Sequence, residues 1–291
     1  MTKELSRRNL LGRAGLALGG AVTLGVLQAC GSDSDPAPQE TPQEPAAGPQ
    51  VADFPYEQHL PAGYRLDPAP IREAAYQAYY AGGCCHGAYS ALVGHLAQTA
   101  GAPFTLLPLD FGKFGGGGIA SYGSICGSVL GGVLVTNMVV ADATARGAIM
   151  TDLMRWYEGA SFPQYDPKAV NAGETGLVKD FSAGNLVNLQ RVPGSHLCHA
   201  SVSGWCAANG VSATGADKKA RCARLTADVA GKVAELLNAY LETKTFTAAP
   251  IDDTSKTCLV CHPGTSTTEP VASGMTCTTC HPDKTTGHPA L

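Results

Sequence analysis

Cys258-Leu259-Val260-Cys261-His262 and Cys277-Thr278-Thr279-Cys280-His281 are two C-x-x-C-H pentads whose first cysteines stand nineteen residues apart. Each is the signature of covalent c-type haem attachment. The chemistry dictates the spacing. Two thiols must reach the two vinyl groups on one porphyrin edge, and the following residue must swing an imidazole onto the iron. His262 and His281 are therefore the expected proximal ligands, and Cys258, Cys261, Cys277 and Cys280 the attachment residues. The alternatives are a zinc site built from two C-x-x-C units, or two local disulfides. Neither requires a histidine after each second cysteine.

The surroundings of the pentads favour haem. From Ile251 to Leu291 there is no aromatic residue, thirteen residues are Ser or Thr, and only eight besides cysteine are apolar. Such a segment has no protein core of its own, and two porphyrins supply the missing apolar mass. A dihaem module over 250–291 is expected, unfolded without its haems.

The whole chain fits an exported redox protein. It has 291 residues, 44% hydrophobic, with 20 basic and 24 acidic side chains and a net charge of −4. That balance gives no footprint for nucleic acid. Only 7% is aromatic, while 35 glycines and 19 prolines favour a loop-rich fold packed through small residues. Eleven cysteines are too many for a reduced cytosolic protein without metal or redox cofactors.

The N-terminus reads as an address. Ser6-Arg7-Arg8-Asn9-Leu10-Leu11 resembles a twin-arginine export signal, followed by an uncharged stretch from Ala14 to Ala29. Leu27-Gln28-Ala29-Cys30 resembles a bacterial lipobox, so residues 1–30 are a signal and Cys30 a candidate lipid anchor. Residues 31–50 hold five prolines and four acids, with no aromatic or large aliphatic side chain. They are expected to be a disordered tether. The mature protein would work in the periplasm or on a membrane face.

Residues 51–249 read as mainly helical. Ile71, Ala74, Ala75, Ala78 and Tyr79 recur at helical spacing up to Gly82-Gly83, and a second helix runs from about Cys84 to Ala100. Phe114 to Ala141 carries no charge and reads as a buried helix with Gly123, Gly127 and Gly131 along one bare face. Asp217 to Leu241 is amphipathic, with Cys222, Leu225, Val229, Val233, Leu236 and Tyr240 on one stripe. Gly115 to Gly118 lacks the Lys-Ser/Thr of a phosphate cradle and reads as a turn.

Six cysteines of the mature chain lie outside the pentads: Cys84, Cys85, Cys126, Cys198, Cys206 and Cys222. Three disulfides are one reading. An iron–sulfur cluster is the other. Adjacent Cys84 and Cys85 would form a strained bond, wide irregular spacing suits a cluster better than zinc, and twin-arginine export carries folded, cofactor-loaded chains. Six histidines are open as distal haem ligands: His59, His86, His95, His196, His199 and His288. The methionines are less well placed.

Gly82-Gly83-Cys84-Cys85-His86-Gly87, Gly123-Ser124-Ile125-Cys126-Gly127, Cys198 to Cys206 and Arg221 to Ala230 together resemble the redox-active family named for its spaced GC…G, C and C motif. With two C-terminal haem pentads, the chain resembles the split-Soret cytochromes c over roughly residues 60–291. The resemblance implies a mainly α fold, a helical iron–sulfur domain followed by a small loop-rich dihaem module. It implies a homodimer with two bis-His haems and a [2Fe–2S] cluster per chain, and one distal histidine crossing between subunits. Cluster ligands are expected among Cys84, Cys126, Cys206 and Cys222, with Cys198 or Cys85 as substitutes. His199 and His288 become the preferred distal ligands. His86 departs from the pattern, standing where an aromatic is expected.

Electron transfer to a redox partner protein is the function expected. Alternatives are a haem reductase with one open haem site, and a disulfide-stabilised binding protein.

Overall fold

Gly83 is where the first long helical stretch turns back on itself. Its φ of +83° and ψ of −175° interrupt α1 (Pro68–Thr99), a conformation natural only to glycine. In a straight helix Ala75 and Gly87 would be about 18 Å apart. Instead a Cβ on Gly87 would stand 2.9 Å from the Ala75 carbonyl oxygen, and the Asp67 N–H donates to His95 Nε2 at 3.3 Å. Arms 68–82 and 84–99 therefore lie antiparallel. The two helices expected on either side of Gly82-Gly83 are these arms.

The computed structural model describes residues 53–179, 189–267, 270–271 and 274–282. The export signal, Cys30, the tether and His288 lie outside the described residues. Beyond α1 come α2 (Gly127–Val139), α3 (Ala143–Gly159), α4 (Cys198–Asn209), α5 (Ala216–Thr243) and α6 (Asp253–Cys261), with short 3-10 turns between them. Among the described residues, extended pairing is limited to the bridges Ile125↔Leu197 and Phe162↔Arg191. No described helix is long and apolar enough to cross a membrane.

Small residues set the packing. A Cβ on Gly131 of α2 would lie 2.6 Å from the Cys85 carbonyl oxygen, and one on Gly132 would lie 2.6 Å from Val233 Cγ2 of α5. Helix axes that close leave no room for larger side chains. The core between α1, α2, α3 and α5 holds Ile71, Leu92, Leu96, Val129, Ile149, Leu153, Leu225, Val229 and Val233. The expected stripe from Cys222 to Tyr240 is buried throughout.

The glycine-rich region differs from the expected single helix over Phe114 to Ala141. Only Gly127–Val139 is α-helical. Residues 117–121 and Gly123 all have positive φ, Ile119, Ala120 and Ser121 included. Glycine lowers the barrier to left-handed backbone, and turn bonds such as Ser121 N–H to Gly116 O at 3.0 Å and Gly123 N–H to Gly117 O at 3.0 Å close the loop. Gly123 thus belongs to the loop, and Gly127 and Gly131 to the close-packed helix face.

Candidate metal centre and haem-attachment segment

Four separate elements bring the thiols toward one another. Cys84 opens the second arm of α1 directly after Gly83. Cys126 caps α2, Cys198 is the first residue of α4, and Cys222 lies in α5. The backbone of 123–126 pairs with 196–199: Cys126 N–H donates to His196 O at 2.8 Å, Cys198 N–H to Ser124 O at 2.6 Å, and His199 N–H to Gly123 O at 3.0 Å. That pairing fastens two of the cysteines to each other. Glycines line the approach, since a Cβ on Gly127 would meet Cys84 Sγ at 2.4 Å and one on Gly118 would meet Cys198 Cβ at 2.9 Å.

The thiols feel one another. Burial pushes the Cys84 thiol up, and Cys126, Cys222 and Cys198 push it further. Burial raises Cys198 to about 12, again with Cys126 and Cys222 contributing. Cys206 is raised by burial and feels only Cys222 among the thiols. Cys85 is raised to about 12 by burial and feels only Cys126. Cys84 and Cys198 therefore share Cys126 and Cys222 as neighbours, which gathers these four into a loose quartet, with Cys206 and Cys85 at its edges. All ten described cysteines are free thiols. No three His, Cys, Asp or Glu side chains among the described residues are drawn together tightly enough for a single ion. The quartet is looser than a mononuclear site.

Arg221 enters this quartet from α5. It is 1% exposed. Nη2 donates to Ser201 Oγ at 2.8 Å, Nη1 lies 4.0 Å from Cys222 Sγ, and Nε has no hydrogen-bond partner. Tyr157 OH donates to the same Ser201 Oγ at 2.8 Å. Sequence reasoning missed Arg221, although an arginine beside Cys222 on a buried helix was a legible signal.

The second haem pentad meets the C-terminal end of α3. Asp252 caps α6 by accepting from Ser255 N–H at 2.8 Å, and Ser255 Oγ accepts from Cys277 N–H at 2.9 Å. The Cys258 thiol is within hydrogen-bonding reach of Cys277, so the first cysteines of the two pentads stand side by side. Cys261 and Cys280 are exposed, as is Val260 at 73%. The segment docks through Glu158, which is buried. Its Oε2 accepts from Thr276 Oγ1 at 3.2 Å, its Oε1 faces His196 Nδ1 at 3.3 Å, and Thr279 Oγ1 donates to Gly194 O.

Of the other expected ligands, His199 is exposed at the start of α4. His262 and His281 follow their pentads as the sequence requires, and His281 is exposed. His86 is buried, its Nδ1 3.2 Å from Leu109 O.

Comparison with known proteins identifies the family. Residues 85–236 match the family described as redox-active protein (C_GCAxxG_C_C). The chain is 32% identical over 266 residues to the split-Soret cytochrome c of Desulfovibrio desulfuricans, covering 89% of this chain and 88% of that protein. A solved structure of split-Soret cytochrome c from D. desulfuricans ATCC 27774, described as having a novel iron centre, superposes with a TM-score of 0.65 at 30% identity. It covers 78% of this chain and 94% of that one. The chain belongs to the split-Soret cytochrome c family, within the redox-active C_GCAxxG_C_C proteins.

Proposed function

We propose that this chain is an exported electron-transfer protein carrying two covalent c-type haems on residues 250–291 and a [2Fe–2S] cluster held by Cys84, Cys126, Cys198 and Cys222. The observation that carries the reading is the pair of C-x-x-C-H pentads with Cys258 and Cys277 side by side.

Both groups fit the residues present. Exposed Cys261, Cys280 and Val260 leave an uncovered face at the pentads, as an attached macrocycle requires. At the quartet, four thiols come from four elements, and a buried guanidinium lies 4.0 Å from one of them, Cys222. Soft thiolate sets with room between them suit an iron–sulfur cluster. Haem and cluster would each supply reversible one-electron chemistry.

The chain's own residues do the positioning. His262 and His281 present imidazole nitrogens as proximal ligands. Tight packing of α1, α2 and α5 keeps water from Cys84, Cys126 and Cys222. Glu158 and Gly194 hold the second pentad against the helical body. His199, exposed and one residue from Cys198, is offered as a distal ligand to a haem of a second copy in a homodimer, and His288 as the other. Full ligation leaves no position for substrate, which favours electron transfer over reductase chemistry. The Arg7-Arg8 signal and Cys30 support export by the twin-arginine route and a lipid tether in the periplasm, with residues 31–50 as spacer.

Anaerobically purified protein tests this by optical and EPR spectroscopy with haem, iron and sulfide analysis. The expected result is two low-spin haems and one sulfide-containing iron centre per chain. A high-spin haem that binds CO would favour the reductase, and three disulfides with no labile sulfide would end the cluster assignment.

A further inference from the structure

We propose that Arg221 is the buried counter-cation of the iron centre, balancing the negative charge of the Cys222 thiolate and the quartet it belongs to, and favouring the centre's reduced form. This rests on the reading above that the quartet holds iron.

The argument starts from an imbalance of charge. A guanidinium stays protonated, and burying one without an anion is among the costliest arrangements a protein can adopt. Arg224, one turn further along α5, shows the usual remedy: it is fully buried and forks onto Glu174 at 2.6 and 3.2 Å. Arg221 has no such partner. Among the described residues no carboxylate lies within ion-pair distance of it. Asp228, two turns on, feels Arg221 but does not pair with it. Ser201 is neutral, and the Trp205 ring lies 5.9 Å from Cζ, at the far limit of a cation–π contact.

What does face Arg221 is sulfur. Nη1 lies 4.0 Å from Cys222 Sγ, and the Ser201 hydroxyl that Nη2 holds is held in turn by Tyr157 OH. Lys218 is the other cation facing this group, near Cys198 and Cys206. Neutral thiols would leave Arg221 uncompensated. Metal-bound thiolates compensate it, because metal binding takes the thiol protons away. Each electron added to the centre adds one negative charge, and a fixed cation a few ångströms away stabilises that state.

The test compares the parent with Arg221→Met, similar in length and uncharged, and with Arg221→Lys, which keeps the charge. Redox titration of the EPR signal in anaerobic holoprotein, with dithionite as electron donor, should show the Met variant's reduction equilibrium at least tenfold less favourable. For a one-electron couple that is about 59 mV lower. Arg221→Lys should recover most of the loss. Thermal unfolding supplies a readout independent of the centre. In chelator-stripped full-length chains Arg221→Met should melt no lower than the parent, because an unpaired buried charge has gone.

An unchanged potential in an iron-loaded Met variant overturns the inference. Where the variant cannot retain iron, an iron-free form melting no lower than the parent supports it. A lower-melting iron-free form shows that Arg221 is only structural. A parent chain that binds no iron overturns the quartet reading, and this inference with it.

Discussion

Thr276 Oγ1 donates to Glu158 Oε2 at 3.2 Å, tying the residue before the second haem pentad to the buried end of α3. The same carboxylate faces His196 Nδ1 at 3.3 Å, and the His196 carbonyl accepts the Cys126 N–H. Glu158 is thus the joint between the haem segment and the thiol quartet. Removing a buried acceptor costs about 1–3 kcal/mol. Glu158→Ala should therefore speed amide hydrogen exchange over 274–282 by about one order of magnitude or more, with the core of α5 unaffected. Unchanged exchange in that segment would contradict the role given to Glu158.

Cys198 and Cys206 sit two turns apart on α4, yet only Cys198 neighbours Cys84, Cys126 and Cys222 together. Iron analysis of anaerobic Cys198→Ser should show loss of most of the non-haem iron. Cys206→Ser should keep it. The reverse result would restore the ligand set expected from the family motif.

Gly131 meets backbone that cannot move aside. Its added Cβ would lie 2.6 Å from Cys85 O and 3.0 Å from Tyr89 N. Gly131→Ala should cost about 1–3 kcal/mol by overpacking, lowering the melting temperature by several degrees. Gly147 is exposed on α3, and a Cβ there meets nothing within 4 Å. Gly147→Ala should stabilise by about 0.5–1 kcal/mol. Calorimetry of both variants checks the contrast in sign.

Asp228 gives the folded protein a pH signature. Burial raises its carboxyl to about 7, against the Gln164 and Tyr165 N–H groups that donate to it. The unfolded chain has an ordinary aspartate near pH 3.9. Between about pH 4 and 7 the folded state holds a proton that the unfolded state has released, so this residue's contribution to stability falls as pH rises. Asp228→Asn keeps an oxygen for the Gln164 N–H, now 2.8 Å from Asp228 Oδ2. The variant should match the parent near pH 4 and unfold at a higher temperature above pH 7. Parallel profiles would contradict this.

The α1 hairpin and α5 were legible because both write helical periodicity in apolar residues, and Gly82-Gly83 marks the turn between arms. The loop over 116–124 was not. An uncharged glycine-rich run satisfies the pattern of a buried helix and of a left-handed loop equally well, and only the turn bonds to Gly116, Gly117 and Gly118 decide between them. The pentads were fully legible because covalent chemistry fixes their spacing. The thiol quartet was half legible: motif spacing names the cysteines, but which ones meet depends on the pairing of 123–126 with 196–199. Glu158 carries no local signal, since its partners lie 38 and 118 residues away.

The central claim is that two porphyrins are bonded to Cys258, Cys261, Cys277 and Cys280. Intact mass spectrometry of the denatured chain, produced in a host that matures c-type cytochromes, tests it most directly. The account predicts the mass of the processed polypeptide plus two haems, retained after acid–acetone extraction. A chain at the bare polypeptide mass would contradict it.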